Sequence, residues 1–374
     1  MQIIPVASGK GGVGKSLISA NLAIALGQAD KKVILADLDL GASNLHLVIG
    51  QQAPKQGIGT YLSGQAKFED VIRDSEYKNV RFIPGDSEIP GLTALKIAQK
   101  NDLVKKLQKL DADYLIVDLG AGTHLTILDL FLLSPQGIVV TAPTVTATLN
   151  GYLFLKNAVF RMMYNTFKKN SKAYNYLEHL KSDATSLQRL YIPKLVENIA
   201  TIDPQSAALF KHRMSQFRLR LILNMIDEPR DAEKSLKIRR SCSEYLGLEM
   251  EHLGIIYRDS LQDKALESRL PIIIYKPQSM LAQSIYRIAD KIISSQTITF
   301  EGAADSFEQA EAEAAEDLET KMSYVEDLLG SGALTTGDLT EVIKSQQFEL
   351  TQIRKENQLL KSKLLKAVSQ GFKI

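Results

Sequence analysis

One octet near the start limits what this chain can become. Gly9-Lys10-Gly11-Gly12-Val13-Gly14-Lys15-Ser16 follows an apolar run from Ile3 to Ala7 and opens a helical run from Leu17 to Leu26. It satisfies G-x-x-x-x-G-K-[ST] in the strand, loop, helix context that gives the pattern meaning. Glycines let the backbone curl so that N–H groups converge on an anion, and the helix N-terminus adds its positive end. Gly9, Lys10, Gly11, Gly12, Val13, Gly14, Lys15 and Ser16 are therefore expected to cradle phosphate. Lys15 would contact the β and γ phosphates, and the Ser16 hydroxyl would ligate Mg²⁺.

The text beyond the loop alternates in the same way. Short β-rich runs at Ile3 to Ala7, Lys32 to Asp37, Val80 to Pro84, Tyr114 to Asp118, Gly137 to Thr141 and Leu219 to Asn224 are separated by longer helical stretches. These runs are nearly all apolar, as strands are when helices cover both faces of a sheet. The expected fold class is α/β, a doubly wound and mainly parallel sheet. From Gly151 to Gln216 no comparable strand appears and helices break near Pro193 and Pro204, so 151–216 reads as a helical insertion.

Charge is unevenly spread along the 374 residues. Arg161 to Arg220 holds eleven basic and four acidic residues, a local +7 inside a chain whose net charge is +2. Glu301 to Asp327 answers with ten acids against Lys321, and its alanine and acid richness predicts a solvated helix or linker rather than core. Further on, Ile343, Leu350, Asn357 and Leu364 alternate with Leu339, Gln346, Ile353, Leu360 and Ala367 in a 3-4 spacing that predicts a coiled coil of about four heptads. An amphipathic helix folding back on its own domain fits the same pattern. The expected organisation is a nucleotide-binding domain over 1–297, an acidic helical linker over 298–334, and a coiled coil or amphipathic helix over 335–374. A single cysteine, Cys242, excludes a disulfide framework, a cysteine-ligated cluster and a structural zinc site within one chain. With no membrane-length apolar run and no signal-peptide pattern after Met1, a cytoplasmic location is expected.

Two carboxylate motifs join the loop. Asp37-Leu38-Asp39 ends the second strand, and its acids are expected to leave on opposite sides, so that one of them faces the γ-phosphate more easily than the other. Asp118 ends a buried strand at the carboxyl edge where ligands bind in such sheets, able to hold Mg²⁺ directly or through water, and Gly120 and Gly122 follow it.

With Lys10 at its second position, the loop reads K-G-G-x-G-K-[ST] and resembles the deviant Walker A loop of the MinD/ParA superfamily. Asp37 to Asn44 is similar to that family's switch I, D-x-D-x-G-x-x-N, and Tyr114 to Gly122 to its Walker B and switch II. The stretch around Asp118, Thr141 to Leu155, and the segment from Gly254 through Ile288 resemble the MinD and FlhG branch. The resemblance covers about residues 1 to 297 and implies a P-loop NTPase of SIMIBI type, an ATPase using ATP/ADP and Mg²⁺. It implies that Lys10 reaches across a homodimer formed in the ATP state, that Asp39 orients the attacking water, that Asp37 supports the metal shell, and that Asn224 meets the adenine edge. Thr144 stands where the family's T-x-P-[ED] turn carries an acid. FlhG proteins usually have an N-terminal extension that activates a flagellar GTPase, and none is seen ahead of Ile3.

The implied role is spatial: placing a flagellum, a division site or a polar cargo, with hydrolysis raised by an activating protein partner. Three outputs are open. The C-terminal helix would contact membrane at the inner face of the cell, the coil would dock a partner, or the basic insertion would contact DNA nonspecifically, as ParA relatives do. An iron-sulfur carrier or nitrogenase-like reductase shares the loop but needs cysteine pairs that this chain lacks. A noncatalytic scaffold would have no use for Asp39.

Overall fold

The computed structural model describes residues 1–86, 95–182, 191–295 and 305–330. Its strands are β1 (Gln2–Ser8), β2 (Val33–Leu38), β3 (Arg73–Asp74), β4 (Val80–Ile83), β5 (Tyr114–Ala121), β6 (Ile138–Thr141), β7 (Leu219–Ile226) and β8 (Met250–Tyr257). They form one sheet in the order β3-β4-β2-β5-β1-β6-β7-β8, parallel throughout except for β3 against β4. The doubly wound α/β expectation is met. β3 and β8 stand outside the runs named from the sequence, and β3 is two polar residues long, so no apolar run could announce it.

Alternation along the strands builds two cores. On β5, Leu115, Val117 and Leu119 point into one apolar layer, and Tyr114 and Ile116 into the other. Helix α1 (Lys15–Gln28) is buried along most of its length in the second layer with Ile4 and Val6 of β1. The first layer is roofed by α2 (Ile97–Gln108), α3 (Leu125–Phe131) and α4 (Val145–Thr166).

Helix α4 begins at Val145 and runs unbroken through Gly151, so the helical stretch opens before the expected start of the insertion. Thr144 caps it, its Oγ1 accepting the Ala147 N–H at 3.3 Å. That gives the residue standing in the place of an acid a local job. Beyond lie α5 (Lys172–Ser182), α6 (Ile192–Ile202) and α7 (Pro204–Gln216). Pro193 and Pro204 sit in the first turns of α6 and α7, where a missing N–H costs nothing, so both prolines start helices. Leu195, Ile199 and Phe210 carry this stretch into the same core as α4.

Two of the arginines counted in the basic stretch are held in ion pairs within the domain. Arg161 binds Asp129 of α3 through Nε at 2.6 Å and Nη2 at 2.8 Å, while Lys100 of α2 holds the same carboxylate at 2.6 Å. Arg220, 2% exposed on β7, pairs with Glu251 at 3.1 Å and donates to Ser295 Oγ at 2.6 Å.

The chain divides into two compact units, 1–315 and 316–374. The first unit closes with α8 (Glu233–Ser241), α9 (Met280–Ser294) and the opening turns of α10 (Asp305–Gly330). Here the expectation of a solvated acidic linker is corrected: Phe307, Ala310 and Ala314 are buried. They recur at helical spacing on one face, and alanines in acid-rich text conceal such a stripe. In the second unit, 316–330 continue the helix, and the expected coil over 335–374 lies outside the described residues. Among the described residues, no helix is long and apolar enough to cross a membrane.

Candidate functional site

The loop after β1 turns through left-handed backbone at Gly12 (φ 78°) and Gly14 (φ 84°), conformations that side-chain-bearing residues rarely adopt. Gly9 is required for a different reason. A Cβ there would lie 2.0 Å from the Asn150 carbonyl oxygen, so the loop can rest on α4 only without a side chain. The same helix receives Lys10, whose exposed Nζ donates to Thr146 Oγ1 at 3.0 Å. Helix α1 then starts at Lys15 with no side chain capping its N-terminus.

Inside the mouth, Lys15 Nζ donates to Asp118 Oδ1 at 2.8 Å and reaches Ser16 Oγ at 3.3 Å. Ser19, one turn along α1 from Lys15, donates to the same Asp118 oxygen at 2.8 Å. Ser19 was not singled out from the sequence, although its i+4 spacing from Lys15 puts both on one helix face. Asp37 and Asp118 are direct neighbours across the β2–β5 pairing, which no local motif encodes. Asp37 is buried and accepts from Ser43 Oγ at 2.6 Å, from Asp39 N at 3.1 Å and from Leu45 N at 3.3 Å. Burial, and then the Asp118 charge beside it, push its carboxyl up to about 7.

The expected separation by alternation is corrected, because residues two apart share a face of a strand; β2 ends at Leu38, and it is the turn that follows which carries Asp39 away from Asp37. The Asp39 Oδ1 accepts from Ala42 N at 3.1 Å, and a Cβ on Gly120 would lie 3.1 Å from that oxygen. The acid therefore faces the glycine segment that follows Asp118. Gly122, at φ 96°, ties that segment to β1 by donating to the Ser8 carbonyl at 3.0 Å. Asn224 lies within β7 rather than at its end, and its Nδ2 donates to the Val13 carbonyl at 2.8 Å, so it props the phosphate loop from below. Cys242 is buried and its thiol is pushed up by burial, far from this chemistry.

These residues fit a magnesium nucleotide. The loop mouth combines an uncapped helix N-terminus, left-handed glycines, an ammonium, a hydroxyl and two adjacent carboxylates. Mg²⁺ shares its shell with phosphate and water, so Ser16 and one or two carboxylates are donors enough for it.

A glycine loop between a central parallel strand and a buried helix, with acids on the two neighbouring strands, is the build of a phosphate-loop nucleotide-binding protein. Residues 4–272 match the family model described as CobQ/CobB/MinD/ParA nucleotide binding domain, and the chain belongs to that family. It is 27% identical over 304 residues to the flagellum site-determining protein YlxH of Helicobacter pylori, spanning 78% of this chain and 82% of that one. It is 23% identical over 297 residues to the antiactivator FleN of Pseudomonas aeruginosa, spanning 79% and 87%. Among solved structures, the septum site-determining protein MinD of Pyrococcus horikoshii, complexed with Mg-ADP, shares the fold at a TM-score of 0.55 and 23% identity, covering 79% of this chain and 97% of that chain.

Proposed function

We propose that this chain is a Mg²⁺-dependent ATPase that dimerises on ATP and uses that switch to position a cellular machine, a flagellum before a division site. Its similarity to the flagellum site-determining protein YlxH over most of both lengths supports the flagellar choice.

The carrying observation is the surface beside the loop mouth. Val145, Leu149 and Leu153 form an i, i+4, i+8 stripe on α4 with Val145 79% and Leu149 55% exposed, and Leu125 at the start of α3 is 60% exposed. Thr146, which receives Lys10, lies in the same turn of α4 as Val145. A cation lying beside apolar surface at a phosphate site suits a second copy of the chain, which would cover the stripe and receive Lys10 at its own phosphates.

Lys15 and Asp118 neutralise each other in this structure. A bound phosphate would take the lysine, and Mg²⁺, held by Ser16 with Asp118 and Asp37 directly or through water, would take the carboxylate and offset phosphate charge. Asp39, beside Gly120, would orient water. Asn224, by holding Val13, would fix the loop under the base. A protein partner would raise the rate, and the segment 335–374 would supply membrane contact. Nonspecific DNA contact through the basic stretch loses support, because Arg161 and Arg220 are occupied internally.

Solution mass tests this reading. Asp39→Ala should bind ATP, stop hydrolysing it and persist as a dimer with ATP and Mg²⁺ while staying monomeric with ADP. An Asp39→Ala protein that hydrolyses normally, or remains monomeric with ATP bound, would sink it.

A further inference from the structure

The sheet ends at β8, and what covers that edge is α10. The His252 N–H on β8 is capped by Ser306 Oγ at 2.9 Å, and the Tyr257 hydroxyl donates to the Ala314 carbonyl at 2.8 Å. Between these two fastenings Phe307, Ala310 and Ala314 turn inward, Glu313 pairs with Lys291 of α9 at 2.8 Å, and the Arg239 guanidinium of α8 lies 5.0 Å from the Phe307 ring centre. We infer that the outer edge of β8, flanked by α8 and α9, is a helix-docking surface, and that residues 305–315 are a displaceable clasp seated on it.

The contact is weak by composition. Phe307 is its one large apolar anchor, and the other inward residues of the clasp are alanines. It also carries buried polar atoms without partners on both sides: both ring nitrogens of His252 on the strand, and Oε1 of Glu311 on the helix. Phe307 packs edge-on against His252, with ring centres 4.9 Å apart, and so seals the imidazole from water. Each unpaired group disfavours the closed form and regains water when the clasp lifts. The clasp therefore opens locally while the sheet beneath it stays folded. Opening releases an aromatic anchor and the strand edge together.

Acidity reports on this motion. Burial, and then Lys291, hold the closed His252 neutral down to about 3. Arg239 adds positive charge on the Phe307 side, and Glu313 is spent on Lys291. An imidazole released to water titrates near 6.5. The open form thus binds the extra proton, and opening grows about tenfold for each pH unit below about 6.5. Glu311 works the other way. Burial and its neighbours Glu233 and Glu308 raise its carboxyl, so its protonation favours closure.

Hydrogen–deuterium exchange on the full chain between pH 7.5 and 5.5, corrected for intrinsic exchange rates, tests the clasp. Segment 305–315 should open more often than α9 in the same molecules, and Phe307→Ala should open it at pH 7.5 with protection of β1 and α9 unchanged. Glu311→Ala should close it further and reveal the tenfold rise per unit. His252→Leu should close it and remove the pH dependence. The inference is overturned if 305–315 and α9 exchange together at every pH, or if opening in Glu311→Ala does not change between pH 6.5 and 5.5. If His252→Leu does not fold, the Glu311→Ala series decides alone.

Discussion

Replacing Asp37 by Asn in protein free of nucleotide and metal should change stability in opposite directions on the two sides of about pH 5. The carboxyl is buried beside Asp118 and is surrounded by three donors: the Ser43 hydroxyl and the Asp39 and Leu45 N–H groups. Its folded value of about 7 lies above the ordinary 3.8, so the folded state holds the proton more tightly than the unfolded chain. The stability linked to that proton is fully present below 3.8 and is lost as pH rises through about 7. At about 1.4 kcal/mol per pH unit the complete loss is about 4 kcal/mol, an upper figure. Asn cannot ionise and escapes this loss. Its amide, however, turns a donor toward donors, which costs about 1–2 kcal/mol for a hydrogen bond replaced by an unmade one. The variant should therefore be less stable than the parent by about 1–2 kcal/mol at pH 3.5, about equal to it near pH 5, and more stable by about 2–3 kcal/mol at pH 8. Urea unfolding in EDTA at pH 3.5, 5, 6.5 and 8 measures this. His252 titrates with the opposite sign in part of the range but is common to both proteins, so it cancels from the difference. A difference of one sign throughout, or parallel pH curves, would refute the account of Asp37.

The other expectations concern the loop and its surroundings. Lys15→Ala should abolish nucleotide binding in a fluorescent-nucleotide titration and, by leaving Asp118 buried without its cation, should destabilise the free protein by about 3–5 kcal/mol. Gly9→Ala forces a methyl to 2.0 Å from the Asn150 carbonyl oxygen, and the backbone shift needed should cost about 1–3 kcal/mol and lower nucleotide affinity at least about tenfold. Leu149→Glu, on exposed surface, should leave nucleotide binding and thermal stability unchanged while preventing the ATP-dependent increase in solution mass; dimerisation undiminished in that variant would show that the α4 stripe is not the covered face.

Much of the site was written locally. Eight consecutive residues specify the phosphate loop because each acts on its own backbone or through its immediate neighbours: glycines for left-handed turns, Lys15 and Ser16 at the first turn of a helix. Strand alternation could not separate Asp37 from Asp39, since residues two apart share a face; the chain leaves β2 after Leu38, and the turn there puts one under Ser43 and the other against Gly120. The apolar runs foretold the parallel sheet, since a strand buried on both faces has no choice of composition.

Other features depended on partners distant in the chain. The raised carboxyl of Asp37 exists only because β2 and β5 pair in a register that sets it against Asp118. Asn224 props Val13, and Gly9 must be bare, because α4 and β7 are brought to the loop from elsewhere. The acidic stretch was misread as solvated because Ala310 and Ala314 look the same in sequence whether they face water or a strand edge. Local rules of turn, helix and strand acted through neighbouring residues and were legible in the text; the burial of Phe307, the fate of Arg161 and Arg220, and the meeting of two carboxylates were decided by which surfaces came together, and no short window of sequence contains both sides of such a contact.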